Sequence, residues 1–204
     1  MFVLKLLLIV VAGYLLGSFS MSIVLSRETM GADVREKGSG NAGATNMARV
    51  YGWKAGFLTL AGDMLKAGLA VLLGWLLLGD WGLAAGGIAA ITGHCFPVFY
   101  NFKGGKGISV GAAIGLAIDW RVFVAIIAVF LIVALLTKKV SAGSLAAAVA
   151  IVVASFVFAV GTPKIILACY CAALAVFQHR RNIDRLAAGT EPDFVAADDK
   201  MNKH

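Results

Sequence analysis

Of the 204 residues, 60% are hydrophobic and only 14% are charged, against roughly 25% in soluble domains. Mean hydropathy is +0.89, and apolar runs of about 20 residues recur, which excludes a water-soluble globular fold and indicates an all-α polytopic membrane protein. The net charge of +7 sits in short loops with no aromatic-basic domain, so it speaks for membrane orientation and anionic substrates and against nucleic acid.

Residues 2–25 form the first expected span, an uncleaved anchor because the apolar run is long and no A-x-A-like site closes it. Within it Gly13-Tyr-Leu-Leu-Gly17 is a G-x-x-x-G pattern, suited to close helix packing. The following loop, about 27–51, contains residues 37–49 (KGSGNAGATNMAR), almost devoid of Leu, Ile and Val. Glycine permits positive φ and close backbone approach. Successive N–H groups in such turns make anion-binding nests, and an arginine can grip phosphate through two parallel hydrogen bonds. The stretch therefore reads as a phosphate cradle at the membrane surface, with Gly38, Gly40, Asn41, Gly43, Thr45 and Asn46 as binding candidates beside Arg49. Residues 38–43 also fit G-x-G-x-x-G, but a dinucleotide site needs a preceding strand, and a hydrophobic helix stands there.

The second span, about 53–78, carries Asp63 and Lys66, spaced to share one helix face and to pair. Gly79-Asp80-Trp81-Gly82 reads as a tight turn. The third span, about 83–99, ends in Gly93-His94-Cys95-Phe96-Pro97, where His94 reads as a satisfied core group and Pro97 marks the helix end. Residues 101–107 (NFKGGKG) set Lys103 and Lys106 among Gly104, Gly105 and Gly107 before a helix start, a second anion cradle. It is not a Walker A loop, because Tyr100 occupies the position of its first glycine.

Residues 107–118 are short for a span, rising only about 18 Å, and 121–136, 141–160 and 164–178 complete the set. The tail 179–191 (HRRNIDRLAAGTE) is polar, and the chain divides into one membrane domain, 1–192, and a flexible tail, 193–204. With seven spans, fourteen of the eighteen cations fall on one side. The positive-inside rule then puts the amino terminus outside, the carboxyl terminus in the cytoplasm, and all three polar motifs on the cytoplasmic face. Cys95, Cys169 and Cys171 lie in apolar segments without C-x-x-C spacing, so neither disulfide nor zinc is expected.

Residues 37–49, 93–107 (GHCFPVFYNFKGGKG) and 179–191 resemble the three signature motifs of the bacterial acyl-phosphate:glycerol-3-phosphate acyltransferases, in order and spacing. The resemblance implies transfer of a fatty acyl group from acyl phosphate to the first hydroxyl of glycerol 3-phosphate, giving lysophosphatidate and phosphate, without cofactor or metal, at a bacterial cytoplasmic membrane. It implies that Ser39, Arg49, His179 and Asn182 are catalytic. It also implies that residues 103–107, Lys106 foremost, bind glycerol 3-phosphate, that Ser144 contacts a phosphate, and that Glu191 is structural, as Asp63 and Lys66 would be. An acyl phosphate is already activated, so positioning and charge neutralisation carry the chemistry, and no residue set demands an acyl-enzyme.

Two rivals remain open at this level. His179 and Asp184 match the H-x-x-x-x-D dyad of thioester-using acyltransferases. A phosphorylated-metabolite transporter would explain the intramembrane Asp63 and Lys66, although transporters commonly show internal repeats and midplane sites. Acyl-chain preference and oligomeric state are not encoded in any recognisable pattern.

Overall fold

The computed structural model describes residues 1–195, and every regular element among them is helical. In order these are α1 (Phe2–Ser18), α2 (Met21–Met30), α3 (Ala44–Tyr51), α4 (Trp53–Cys95), α5 (Ile108–Ile118), α6 (Trp120–Thr137), α7 (Val140–Val157), α8 (Thr162–Gln178) and α9 (Arg180–Ala187). Four stretches are long and apolar enough to cross a bilayer, namely Phe2–Met30, Trp53–Tyr100, Trp120–Thr137 and Val140–Val157; α8 passes the same test only when joined to α9, from which it is bent by 61°. Helices are the required form, because lipid offers no partner to a backbone N–H or C=O.

The first span differs from the continuous helix expected over 2–25. It breaks at Phe19, which is extended, and resumes as α2 after Ser20. The break frees the Phe19 carbonyl, which accepts a hydrogen bond from the Lys66 ammonium at 2.6 Å. A buried cation inside the bundle thus accounts for an interruption that hydropathy does not register.

The long α4 folds back on itself at Leu78 and Gly79, where Gly79 takes φ 60°. Its two arms, 53–77 and 80–95, lie antiparallel and almost in backbone contact. A methyl on Gly74 would strike the Gly82 carbonyl, and one on Gly86 would strike that of Ala70 at 2.5 Å. Only glycine allows this approach. The G-x-x-x-G pair performs the same task between helices: a methyl on Gly13 would lie 3.1 Å from the Ala89 side chain and 3.2 Å from the Gly86 carbonyl, and one on Gly17 would strike the Ala90 backbone. Packing without side-chain volume is how helices associate in lipid, where no hydrophobic drive favours one apolar surface over another.

The second arm of α4 packs with α5, α6, α7 and α8 around a core of Ile91, Val110, Ile114, Val122, Ile126, Ile151 and Leu167. Large apolar residues such as Leu65, Leu76, Leu136 and Val157 remain outward-facing, as a lipid-facing surface requires. Polar loops gather at the two ends. One end holds Lys5 bonded to the Leu77 carbonyl, the Asp80–Lys164 pair and the Asp119–Arg121 pair. The other holds loops 31–43, 96–107, 138–139 and 188–195. Residues 193–195 are anchored there through Lys139–Asp193, Phe194 N–H to the Lys138 carbonyl, and Trp53 against the Phe194 ring. The remainder of the tail expected over 193–204 lies outside the described residues.

Candidate active site

Loop 31–43 is held from within. Asp33 accepts from Arg27 and Arg35 at 2.8 Å each, and these bonds pull its carboxyl far below the usual carboxylate range despite the cost of burial. Arg35 also donates to the Tyr100 and Lys103 carbonyls at 2.9 and 3.1 Å, tying this loop to the next. Asn46 is the second organiser. Its Nδ2 donates to the carbonyls of Val34, Lys37 and Asn41, and its Oδ1 accepts from Ser39 N–H at 2.9 Å. With its amide committed to the backbone, Asn46 shapes the turn and has no spare donor for a ligand. Gly38 sits so close to Asn46 Oδ1 that a side chain would displace it.

The second loop also shows why its glycines are there. Gly104 and Gly105 donate their N–H groups to Cys95 and His94 carbonyls at 3.2 and 3.1 Å, satisfying the last turn of α4. A Cβ on Gly104 would collide with the His94 carbonyl, and one on Gly105 with the His94 ring. These two glycines therefore lock a loop onto a helix end, with their N–H groups already used. Gly107, at φ 83°, starts α5 and aims Lys106 inward.

Between these loops, α3, α4, α5, α6, α7, α8 and α9 enclose a cavity of about 530 Å³. Its polar lining comes from Ser39, Asn41, Gly43, Thr45, Arg49, Lys106, Gly107, Ser144, His179 and Asn182, four segments far apart in the chain. The N-termini of α3 and α5 border it at Ala44–Thr45 and Ile108–Ser109, where the first helical N–H groups lack intrahelical partners. The same cavity is also lined by apolar side chains, among them Phe57, Leu60, Phe130, Ala147 and Ile151. Gly38, Gly40, Lys103, Gly104 and Gly105 do not line it, nor do Arg180 and Arg181.

Lys106 donates to Asn182 Oδ1. Burial pulls its pKa down to about 8, opposed by Glu191 and reinforced by Arg185 and Arg49. Arg49 is half-buried over the Phe194 ring at 6.0 Å, and burial likewise lowers its pKa. Neither cation forms an ion pair among the described residues. Glu191 is occupied elsewhere: Oε1 accepts from Ser141 and Asn182 at 2.7 Å each, and Oε2 pairs with Arg185 Nε at 2.7 Å. Burial works against its charge, but these bonds outweigh it and hold the carboxyl below its ordinary range.

His179 bonds through Nδ1 to the Ala175 carbonyl at 2.8 Å. A carbonyl can only accept, so Nδ1 carries the proton and Nε2 keeps its lone pair. Burial, with Lys106 nearby, lowers this imidazole to about 4 although the Ala175 bond opposes it, so the ring is neutral. Asp184 is exposed on α9, and among the described residues no hydrogen bond or ion pair joins it to His179, whose Nδ1 is taken by Ala175.

Sequence reasoning passed over Arg185, Ser141 and His94, all of which border the cavity. Arg185 was within reach: His179, Asn182 and Arg185 repeat every third residue and share one face of α9. Asp63 and Lys66 pair at 2.9 Å inside the bundle, as their spacing requires.

The family described as glycerol-3-phosphate acyltransferase matches residues 7–189. A glycerol-3-phosphate acyltransferase of Thermoanaerobacter pseudethanolicus (strain ATCC 33223 / 39E) is 41% identical over 181 residues, covering 89% of this chain and 91% of that one. One from Bacillus subtilis (strain 168) is 38% identical over 185 residues, covering 91% and 95%. The chain also superposes on the crystal structure of PlsY (YgiH), an integral membrane glycerol 3-phosphate acyltransferase. In its glycerol 3-phosphate form the TM-score is 0.89 at 35% identity, covering 93% of this chain and 96% of that one. In its lysophosphatidic acid form the TM-score is 0.86 at 33% identity.

Proposed function

This chain belongs to the glycerol-3-phosphate acyltransferase family, and from that premise we propose that it transfers a fatty acyl group from acyl phosphate to the first hydroxyl of glycerol 3-phosphate. The products are lysophosphatidate and inorganic phosphate. One observation carries the reading: Arg49 and Lys106, without carboxylate partners among the described residues, line the same cavity as Phe57, Leu60, Phe130, Ala147 and Ile151, which we read as an apolar channel. Two cations without ion-pair partners suit phosphate groups, and the channel suits an acyl chain. No soluble substrate needs both.

In the proposed reaction the glycerol hydroxyl attacks the acyl carbonyl carbon, and the bond from that carbon to the phosphate oxygen breaks. The hydroxyl proton passes to the departing phosphate or to the lone pair on His179 Nε2. Lys106, Arg49 and Ser144 hold phosphate oxygens, Asn182 positions Lys106, and Ser39, whose hydroxyl has no partner among the described residues, contacts a reactant. Burial makes His179 a weak base, which favours phosphate as the proton acceptor. Neither metal nor acyl-enzyme is invoked. A Ser39 nucleophile would be revealed by acylated protein trapped without acceptor.

Orientation belongs to the same proposal. Counting the arms of α4 separately, with α5 as a short crossing, gives seven spans, with the amino terminus outside and the site on the cytoplasmic face of a bacterial inner membrane. The clustering of Arg27, Arg35, Lys37, Arg49, Lys103, Lys106 and Lys138 at the site end supports it. The decisive assay supplies purified protein with labelled glycerol 3-phosphate and either acyl phosphate or acyl-CoA. Product from acyl phosphate alone, lost in Arg49→Ala, is the expected result. Turnover with acyl-CoA alone would restore the thioester reading, whose His179–Asp184 dyad the Ala175 bond disfavours. Flux of glycerol 3-phosphate into sealed liposomes without donor would restore a transporter.

A further inference from the structure

Inside the bundle, the first arm of α4 presents Asp63 and Lys66 to His94 on the second arm. The Lys66 ammonium lies 2.9 Å from Asp63 Oδ1 and donates to the Phe19 carbonyl at 2.6 Å and to His94 Nδ1 at 3.0 Å. An ammonium has three protons and no acceptor. That of Lys66 hydrogen-bonds to the Phe19 carbonyl and to Nδ1, while Asp63 Oδ1 contributes an ion pair only; since an ammonium cannot accept, Nδ1 must, and the imidazole proton resides on Nε2. That N–H has no hydrogen-bond partner among the described residues, although His94 is only 4% exposed. His94 lines the cavity.

Its surroundings tie this donor to the site. A methyl on Gly105 would run into Nε2 and would lie 2.7 Å from the Ala42 carbonyl. The ring therefore faces the seam between loop 38–43, which carries Ser39, and loop 103–107, which carries Lys106. Nε2 is not sealed inside the bundle: its N–H opens onto the cavity, where a bound reactant can supply the acceptor that no described residue does.

We propose that His94 Nε2–H, held in this tautomer by the Lys66 ammonium, donates a hydrogen bond to an oxyanion of the bound reactants and is a further substrate-contacting residue of the acyl transfer. The inference rests on the reading above. Two oxygens share the required chemistry: the acyl carbonyl oxygen, which gains charge during attack, and a phosphate oxygen.

The test compares wild-type protein with His94→Asn and His94→Gln, measuring kcat, KM for both substrates and melting temperature in detergent. The asparagine amide replaces Nδ1 and satisfies Lys66 but leaves nothing at the Nε2 position. The glutamine amide nitrogen reaches the Nε2 position. The expected result is an unchanged melting temperature and about 100-fold lower kcat/KM for His94→Asn, with at least about tenfold recovery in His94→Gln. A loss in kcat alone assigns the carbonyl oxygen, and a rise in one KM assigns that substrate's phosphate. Wild-type kcat and KM in a folded His94→Asn overturn the proposal. If His94→Asn does not fold, His94→Gln decides: activity within about tenfold of wild type supports it, and a loss beyond about 100-fold in folded protein overturns it. Wild-type protein inactive with every acyl donor would remove the acyl-transfer reading itself, an outcome distinct from an active wild type with an equally active His94→Asn.

Discussion

Lys106 and Asn182, 76 positions apart in the chain, meet at 2.5 Å between the Lys106 ammonium and Asn182 Oδ1. Asn182 is oriented in turn by its Nδ2 bond to Glu191. Glu191 therefore aims a cation it never touches, through an amide that can accept on one side and donate on the other. That arrangement leaves the Lys106 charge available to a phosphate while Arg185 neutralises the carboxylate.

Removing either cation should eliminate turnover without unfolding the protein. Arg49→Ala and Lys106→Met are each expected to lower kcat/KM by about 100- to 1000-fold, the cost of one preorganised electrostatic contact. Arg49→Lys should recover only a small part, since an ammonium cannot reproduce a bidentate grip. Steady-state kinetics with a melting curve for each variant checks this.

A single methyl should act through space at Gly105. Gly105→Ala places carbon against the His94 ring and the Ala42 carbonyl, in a loop whose N–H groups cap α4. Its φ is not in the left-handed region, so the effect comes from contact alone. We expect at least about tenfold loss of kcat/KM, since small misplacements at a site are costly. Gly68→Ala, on an exposed face of α4 away from the cavity, where a methyl meets open space, should be close to neutral.

Asn46 should behave as scaffold. Asn46→Ala removes the side-chain donor shared by the Val34, Lys37 and Asn41 carbonyls, which keep only their backbone donors, and leaves the Ser39 N–H without its acceptor, at a cost of about 2–3 kcal/mol. Thermal unfolding in detergent should show a lower midpoint together with reduced activity. Ser39→Ala should instead lower activity at an unchanged midpoint, because the bond to Asn46 uses the backbone N–H.

The pH profile should carry an alkaline limb from Lys106 and no neutral limb from His179. In the free protein Lys106 loses its proton near 8, and only the charged form attracts phosphate, so kcat/KM for glycerol 3-phosphate should fall as pH rises through that region. Bound phosphate favours the ammonium, so kcat should fall at higher pH than kcat/KM. His179, lowered to about 4, stays neutral above pH 5 and adds no inflection of its own, so any inflection at about pH 6 belongs to the substrate phosphate and should persist in His179→Gln. His179→Gln separates its roles: near-normal turnover eliminates it as obligatory base.

Much of the site was legible because its residues cannot belong elsewhere in an apolar chain. Arg49, Lys106, His179 and Asn182 stood out against lipid-facing surroundings, and the structure gathers them on one cavity. Roles within the loops were less legible. Glycine clusters look alike whether they cradle an anion or bring a loop against a helix end. Gly104 and Gly105 do the second, and Asn46 spends its amide on backbone carbonyls. His94 read as a core group because its neighbours give no hint that Lys66 would turn its free proton toward the cavity.

Hydropathy and charge alone determined a helical membrane protein, its approximate spans and the polar segments between them. Those properties follow from local composition, since a bilayer judges each segment separately. Three outcomes depended on tertiary contact: the break at Phe19, the fold-back of α4 at Gly79, and the convergence of loops 37–49, 101–107 and 179–191 around one cavity. Each depends on a partner far along the chain: Lys66 for the Phe19 carbonyl, Gly82 for Gly74, Asn182 for Lys106. A sequence read segment by segment holds both members of every pair but not the geometry that joins them.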